Sequence, residues 1–536
     1  MFTMKSMRTR VAWNGRTIRW GVVALGVMLV STLAVSAPVA NAAGARHSAP
    51  AASVGSTLTI ASGTAPTTLN PVLSGNGDPL EFFLELSYDS LIRFEPNGTY
   101  APDLATSWGY VGTGNTVFTM KLRSGVRFSD GSYLTAAAVK AFLEYYAKSG
   151  TFASRFNFKS ITVTGPLSLK ITLNQADPEL PYYFNQDLVS GDVTSAQATA
   201  HPTPLGTTTD GAGPYVLDAS ATVTGTKYVY VPNKYYWNPS AIHWKKVVVD
   251  IISDPTATLD ALKTGEVQVA MGQTTTAAAA KSDGLKVFAD PYTWDSVFLM
   301  DRNGKVVPAL GNLKVRQALN YAVDRPAIAK ALFGQYGQAD DETAVPGYPG
   351  YNSADANLYP YNLTKAKKLL AEAGYSNGFS MSMLAYNLQP AETTFAQAIA
   401  SEWSNIGVNV SIETPPSIGE YSSDLEGLKY PAQVFEYGAQ PIFVDASEVI
   451  MPNGGLLNPF KSDDPVMVND ENMIATASAA EQTAASNKLE TRVLDQAWFV
   501  PVATNDETFY VAKSIGGFVL DPPEVSPDPV DWYSAS

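Results

Sequence analysis

Residues 88–108 read YDSLIRFEPNGTYAPDLATSW, and residues 118–146 read FTMKLRSGVRFSDGSYLTAAAVKAFLEYY. The second stretch opens with apolar residues that alternate with polar ones, which is typical of a half-buried strand. Asp130-Gly131 is a turn signal, and Thr135 can cap a helix whose apolar residues fall on one face. This part of the chain is therefore predicted to run strand, turn, helix.

Farther along the chain, apolar residues at helical spacing predict more helices with clear start and stop signals. These helices are predicted around 315–322, from Asp324 to Gly334, from Asn362 to Gly374, and from Phe395 to Gly407. Alternation resumes at 408–412, so residues 381–412 are predicted to form a β-α-β unit. Strands that alternate with helices predict a mixed α/β fold.

Composition limits the classes of function. A chain of 536 residues should hold more than one hydrophobic core, and 16% charged residues argue against a disordered chain. Acidic residues outnumber basic ones by 50 to 36, so nucleic acid is not expected as a partner. There is no cysteine, and His47, His201 and His243 are the only histidines. Disulfides, thiolate metal sites and lipidation of a cysteine are excluded, and no cofactor or metal is expected.

The N-terminus has the pattern of a secretion signal. Five basic residues lie within positions 5–19, and Gly21–Val35 is uncharged and apolar. Fifteen residues suit a signal peptide better than a membrane span, and Ala40-Asn41-Ala42 matches a cleavage site. We expect residues 1–42 to be removed, with 43–55 as a flexible tail. An uncleaved N-terminal anchor is the alternative, and both options place the protein outside the cytoplasm.

Several stretches that occur in a fixed order resemble the peptide/nickel class of ABC-transporter substrate-binding proteins. They begin with the two stretches quoted above. The others are TLNP (68–71), GAGPY (211–215), NKYYWNP (233–239), LDALKTGEVQVA (259–270), VRQALNYAVDR (315–325) and KAKKLLAEAGY (365–375). Each has a structural explanation: the glycines of GAGPY would permit positive φ, and Arg316 would pair or cap at a helix start.

The resemblance implies a two-lobed binding protein in which one lobe carries an inserted domain. Domain I would comprise 56–85, 208–288 and 500–536; inserted domain II would be 86–207, and domain III, the second lobe, 289–499. The chain would cross between lobes at 292–298 and 500–505. The protein would be an exported monomer, periplasmic or at the cell surface, that captures a peptide or similar polar molecule by lobe closure. It would deliver this ligand to the transmembrane subunits of an ABC permease, and the same scaffold could instead serve a sensory role.

Candidate ligand-binding residues lie at the ends of predicted strands and at the first crossing. Aromatic rings there can stack on sugar rings or peptide side chains, and amides can orient polar groups. The candidates are Asn76, Tyr292, Trp294, Tyr386, Asn387, Phe435, Tyr437 and Gln440. No catalytic residue and no metal ligand is expected.

The sequence departs from the peptide-binding members of the class at two positions. Those members often hold a ligand ammonium with an Asp in the region equivalent to 435–445, and a ligand carboxylate with an Arg near 385–390. Here these stretches read FEYGAQP and AYNLQP, so the second has no cation. We expect a ligand that is neutral, capped or longer than a dipeptide, unless Arg302 or Arg325 enters the cleft.

Two other functions are compatible with parts of the sequence. Neutral oligosaccharides could bind on the same scaffold through aromatic stacking. A secreted hydrolase could use paired carboxylates, but the sequence has no G-x-S-x-G or H-E-x-x-H motif. The protein is therefore expected not to be an enzyme.

Overall fold

A computed structural model describes residues 55–75, 81–95, 97–385, 392–452, 457–520 and 527–535. The predicted signal peptide and nearly all of the predicted tail lie outside these ranges. Among the helices that the model describes, we find none with the length and apolar character needed to cross a membrane.

The strands of the described residues are β1 Leu58–Ser62, β2 Ile92–Phe94, β3 Tyr100–Pro102, β4 Ala105–Tyr110, β5 Val117–Leu122, β6 Phe158–Gly165, β7 Ser168–Leu173, β8 Tyr215–Leu217, β9 Lys227–Pro232, β10 Val247–Ile251, β11 Val269–Met271, β12 Lys286–Leu299, β13 Gly337–Ala339, β14 Phe379–Leu384, β15 Val408–Glu413, β16 Ala432–Gly438, β17 Phe499–Val511, β18 Ile515–Gly516 and β19 Tyr533–Ser534.

The helices are α1 Glu81–Glu85, α2 Ala136–Ser149, α3 Leu180–Tyr183, α4 Ala196–Ala200, α5 Pro255–Thr264, α6 Ala277–Ser282, α7 Leu313–Tyr321, α8 Arg325–Phe333, α9 Leu363–Glu372, α10 Glu392–Ser404, α11 Ile418–Glu426, α12 Ile442–Asp445, α13 Pro465–Thr476 and α14 Ala479–Asp495. Two short elements also matter for the site: a 3₁₀ turn at Ala153–Arg155 and a π-helical turn at Ala446–Ile450.

The largest sheet of the described residues has eleven strands, in the order β15-β14-β16-β12-β17-β11-β1-β10-β9-β8, with β13 also paired to β17. Its two central strands, β12 and β17, are long and antiparallel, pairing from Lys286↔Val511 to Phe298↔Phe499. One end of this ribbon continues through β11 into strands of the segments predicted as domain I. The other end continues through β16 into the segment predicted as domain III, and these names are kept below for the predicted segments. The ribbon therefore belongs to both halves of the sheet.

The buried apolar residues form separate clusters on the two sides of the ribbon. The first cluster joins residues of 58–86 with the sheet β4-β5-β7-β6 and helix α2 of segment 86–207. Phe118 and Phe142 are both fully buried in it. Two further clusters lie within 294–502, around Trp403 and around Trp294. Segment 86–207 thus shares a core with domain I.

The local predictions are confirmed where they can be compared. Thr135 caps α2 by accepting a hydrogen bond from the Ala138 amide. Helices α7, α8, α9 and α10 lie where apolar periodicity placed them, and β14 pairs with β15 in parallel, as a β-α-β unit requires. Arg316 does cap a helix, but at its end, since it donates to the carbonyl of Gln496, which closes α14.

The expected reason for the glycines in GAGPY is wrong. Neither Gly211 nor Gly213 has a positive φ. Both instead lie against the main chain at Ser87 and Tyr88, and a Cβ on Gly213 would come within 2.5 Å of the Ser87 carbonyl carbon. This close approach lets the return segment dock beside the end of α1.

We expect Gly213→Ala to lower the free energy of unfolding by about 2–3 kcal/mol, because backbone atoms on both sides must move to admit the methyl group. Gly206→Ala is the matched control, since its nearest neighbour would be 4.0 Å away, and its effect should stay within about 0.5 kcal/mol. Urea unfolding measures both. Equal stability of the two variants would contradict the packing argument.

Candidate functional site

Several residues of the candidate site lie on β12 and on its neighbour β16. In β12 and β16, Trp294 lies opposite Tyr437, and Asp295 lies opposite Glu436. A register irregularity in the β12–β17 pairing falls between Pro291 and Thr293, so Tyr292 interrupts the regular alternation. The side chain of Tyr292 therefore does not have to lie on the same face of the sheet as that of Trp294.

A cavity of about 370 Å³ opens where segment 86–207 meets domain III. Its lining is polar and aromatic, with contributions from both sides. Arg155, Tyr182, Asp187 and Leu188 come from segment 86–207, and Tyr292, Phe435, Glu436, Tyr437, Gly438, Ala439, Gln440 and Glu448 come from domain III. This size suits a small molecule or a short peptide.

Arg155 reaches across the cavity from its 3₁₀ turn. Its Nε donates to Glu448 Oε1 at 2.9 Å, and its Nη2 donates to Gln440 Oε1 at 3.1 Å. The guanidinium also packs on the Phe152 ring at 4.4 Å, which fixes its direction. The hydrogen bonds that Arg155 makes with other described residues use Nε and Nη2, and its side chain lines the cavity. Arg155 thus presents a donor to the cavity.

Glu448 belongs to a polar network on the domain III side. It lies on the π-helical turn that follows α12, an element often found at functional sites. Tyr437 donates to Glu448 Oε2 at 2.5 Å, and Gln440 donates to the Tyr437 hydroxyl at 2.9 Å and to Asp445 at 3.2 Å. Burial raises the pKa of Asp445 well above its usual value, and the nearby Glu448 raises it further.

The predicted ligand residues are placed differently from one another. Tyr292, Phe435, Tyr437 and Gln440 all line the cavity. Trp294 does not, which corrects the expected position: the indole is 1% exposed and stacks on Phe298 at 5.3 Å behind the wall. Its role is to support Tyr437, whose ring it contacts edge-on. Asn76, Tyr386 and Asn387 lie outside the described residues.

Neither cation considered for the cleft lies there. Arg302 is 4% exposed, stacks on Trp498 and donates to Asn458. Arg325 is 5% exposed and pairs with Asp341. Arg155, which lies outside the stretch 385–390, is the cation that lines the cavity among the described residues. The expectation of a neutral, capped or longer ligand stays a prediction.

Sequence reasoning missed Arg155, Tyr182, Asp187 and Glu448. Three of these come from segment 86–207, in which the sequence analysis named no candidate ligand residue. Phe152 three positions before Arg155 was the only local signal, since an aromatic ring can hold a guanidinium. The pairing with Glu448, 293 positions away, has no local signal.

A second contact joins the two sides away from the cavity. Asn115 donates from Nδ2 to the carbonyls of Ala475 and Ala477, at 2.9 and 3.0 Å. Close to it, burial raises the pKa of Asp177 and of Glu471 to about 7 and that of Glu179 to about 8. Proximity to Glu471 contributes to the Asp177 shift. Carboxyl groups of both sides are therefore crowded where the sides meet.

Other features of the described residues are weaker candidates for a ligand site. A shallow concavity of about 550 Å³ over α8 and β13 is lined by small residues with Lys330 as its one charged group. No group of three His, Cys, Asp or Glu residues in the described ranges could hold a metal ion.

Comparison with known sequences gives a consistent result. The sequence pattern of the bacterial extracellular solute-binding proteins, family 5 (middle), matches residues 99–453. The chain is 30% identical over 385 residues to the glutathione-binding protein GsiB of Shigella boydii serotype 4, which covers 69% of this chain and 71% of that protein.

Solved structures share the fold. HbpA2 from Haemophilus parasuis superposes with a TM-score of 0.77 at 22% identity, covering 90% of this chain and all of that one. The ABC transporter-associated periplasmic binding protein DppA from Helicobacter pylori, in complex with peptide STSA, gives 0.72 at 21% identity and covers 90% and 98%. The α/β fold is thus that of two-lobed periplasmic binding proteins.

The acid groups at the Asn115 contact give a testable pH dependence. Their pKa values are raised where the two sides meet, so the closed form binds more protons. Closure should therefore strengthen as pH falls from about 9 to 5.

Closure can be measured by energy transfer between two dyes. Because the chain has no cysteine, the dyes can be attached to Lys170→Cys and Lys367→Cys. Asp177→Asn with Glu471→Gln should flatten the pH profile, whereas exposed Glu426→Gln should not. A pH-independent signal in the parent protein would contradict this.

Proposed function

The chain belongs to family 5 of the bacterial extracellular solute-binding proteins, and on this basis we propose that it captures its solute in the cavity between Arg155 and Glu436. Proteins of this family deliver ligands to ABC permeases, and the homologues are periplasmic binding proteins rather than enzymes. The ligand is a peptide or a similar polar small molecule. We also propose that residues 1–42 direct export and are then removed.

The observation that carries the proposal is the charge of the cavity wall. Arg155 supplies one cation, and Asp187, Glu436 and Glu448 supply three carboxyl groups. A peptide carries a carboxylate and an ammonium, so it can satisfy both kinds of group at once. A neutral oligosaccharide has no ionic group, so the charged groups of the wall could pair only with one another. The wall therefore favours a peptide over a sugar, although Tyr292 and Phe435 could stack on either.

Capture involves closure of domain II, together with domain I, onto domain III. The β12–β17 ribbon is the connection about which we propose that they turn, with the domain boundaries drawn from the sequence. Arg155 lies on one side of the cavity and Glu448 on the other, so the cavity is complete only when the two sides meet. Closure then excludes water and strengthens each charged contact to the ligand.

Arg155 is proposed to donate to the ligand carboxylate from Nη1. A second donor becomes available when Arg155 releases Glu448. Two chemical classes of ligand follow from the relatives and neighbours: glutathione, bound by the relatives of that name, and short peptides, such as the one in the Helicobacter pylori structure. Glutathione carries two carboxylates and one ammonium. The acid excess of this cavity favours peptides with a single carboxylate.

Isothermal titration with glutathione, di- to tetrapeptides, their C-terminal amides and maltotriose tests the proposal. We expect binding to peptides, and Arg155→Met should weaken binding of the free acids by about 10–100-fold through loss of a charge-assisted bond. The amides should lose much less. Lys159→Met, which removes an exposed cation of the same domain, is the control. Binding of maltotriose alone would favour the oligosaccharide function, and equal binding of free acids by Arg155→Met would contradict the role of Arg155.

A further inference from the structure

Two carboxyl groups meet directly at the cavity wall. Asp295 of β12 and Glu436 of β16 are opposite each other in antiparallel register. Side chains at such positions lie on the same face of the sheet, with Cβ atoms about 5 Å apart. Glu436 lines the cavity, and Asp295 lies behind it at 4% exposure.

Within the described part of the chain, this pair receives hydrogen bonds but forms no ion pair with a basic residue. Thr293 donates to Glu436 at 3.3 Å, and Asn505 of β17 also donates to it. Asp295 Oδ2 has no hydrogen-bond partner among the residues that the structure describes. The titratable group that faces Asp295 from α10 is Glu392, another acid. Among the ion pairs of the described residues, none includes Asp295 or Glu436.

Like charges this close, and this well buried, do not both ionise at neutral pH. Burial raises the pKa of Asp295 well above its usual value, and Glu436 and Glu392 raise it further. Burial also raises the pKa of Glu436, against the hydrogen bonds from Thr293 and Asn505. Both shifts favour the protonated form, and the two groups titrate as a pair.

We propose that the Asp295–Glu436 pair is the subsite for a positively charged side chain of the ligand, which enters in exchange for the shared proton. An ammonium or guanidinium group donates to Glu436, both carboxyl groups become ionised, and the proton passes to the solvent. The inference rests on the proposed capture of peptides in this cavity. It adds that the preferred peptides contain lysine or arginine.

The exchange has a definite dependence on pH. The pKa values of the pair are raised in the protein without a bound cation, so a rise in pH removes the proton that competes with the ligand. Affinity for a cationic side chain should therefore increase with pH until the pair is ionised. Affinity for an uncharged side chain should fall over the same range, because two unpaired carboxylates would remain beneath it.

The test uses tripeptides of alanine with lysine at the first, second or third position, each matched with norleucine, which has the same chain without the charge. All have a free amino terminus, so only the side-chain charge differs. Titration calorimetry in phosphate and in Tris buffer at pH 7 gives affinity and proton release together. We expect one lysine peptide to bind at least about 10-fold more tightly than its norleucine match and to release a substantial fraction of one proton.

Asp295→Asn keeps the shape of the side chain and should abolish most of the proton release and reduce the lysine preference. Glu436→Gln tests the same pair from the cavity side, in case the first variant folds poorly. Exposed Glu426→Gln is the control and should change neither quantity. Equal binding of lysine and norleucine peptides would overturn the inference and leave peptide capture intact. Binding of no tripeptide would remove the proposed function and the inference with it.

Discussion

The pairing of β12 with β17 is the constraint on which the rest of the structure depends. These strands share hydrogen bonds from Lys286↔Val511 to Phe298↔Phe499, and each also pairs with a strand of one half of the sheet. The register fixes which residues of β16 face which residues of β12. It thereby places the Asp295–Glu436 pair at the wall and the Trp294–Tyr437 contact behind it.

The charged groups of the cavity come from both of its sides, and such groups are seldom buried in a protein core. Arg155 matches Glu448, but Asp187, Glu436 and Asp445 add carboxyl groups where burial makes ionisation costly. A wall built only for stability would not collect acids in this way. Both proposals explain these acids in the same way: a bound molecule brings the positive charge that pairs with them.

Local elements could be predicted from the sequence because their signals are local. Thr135 accepts the bond expected of a helix cap, and Gly407 adopts the positive φ that ends α10 and leads into β15. The site could be predicted only in part. Tyr292, Phe435, Tyr437 and Gln440 lie on strands or turns whose ends point to the cleft, but the buried position of Trp294 follows from the irregularity at Tyr292. Arg155 depends on a contact with distant Glu448, which no spacing in the sequence reveals.

The ribbon also has a mechanical consequence. Its strands pair over most of their length, with register irregularities at Pro291/Thr293 and Asp295/Ser296, and lie inside a continuous sheet. The two halves of the sheet are therefore joined by paired strands. If one half of the sheet rotates against the other, the twist between β12 and β17 must change. In the proposed closure, the free energy needed to change this twist would be subtracted from the free energy of ligand binding.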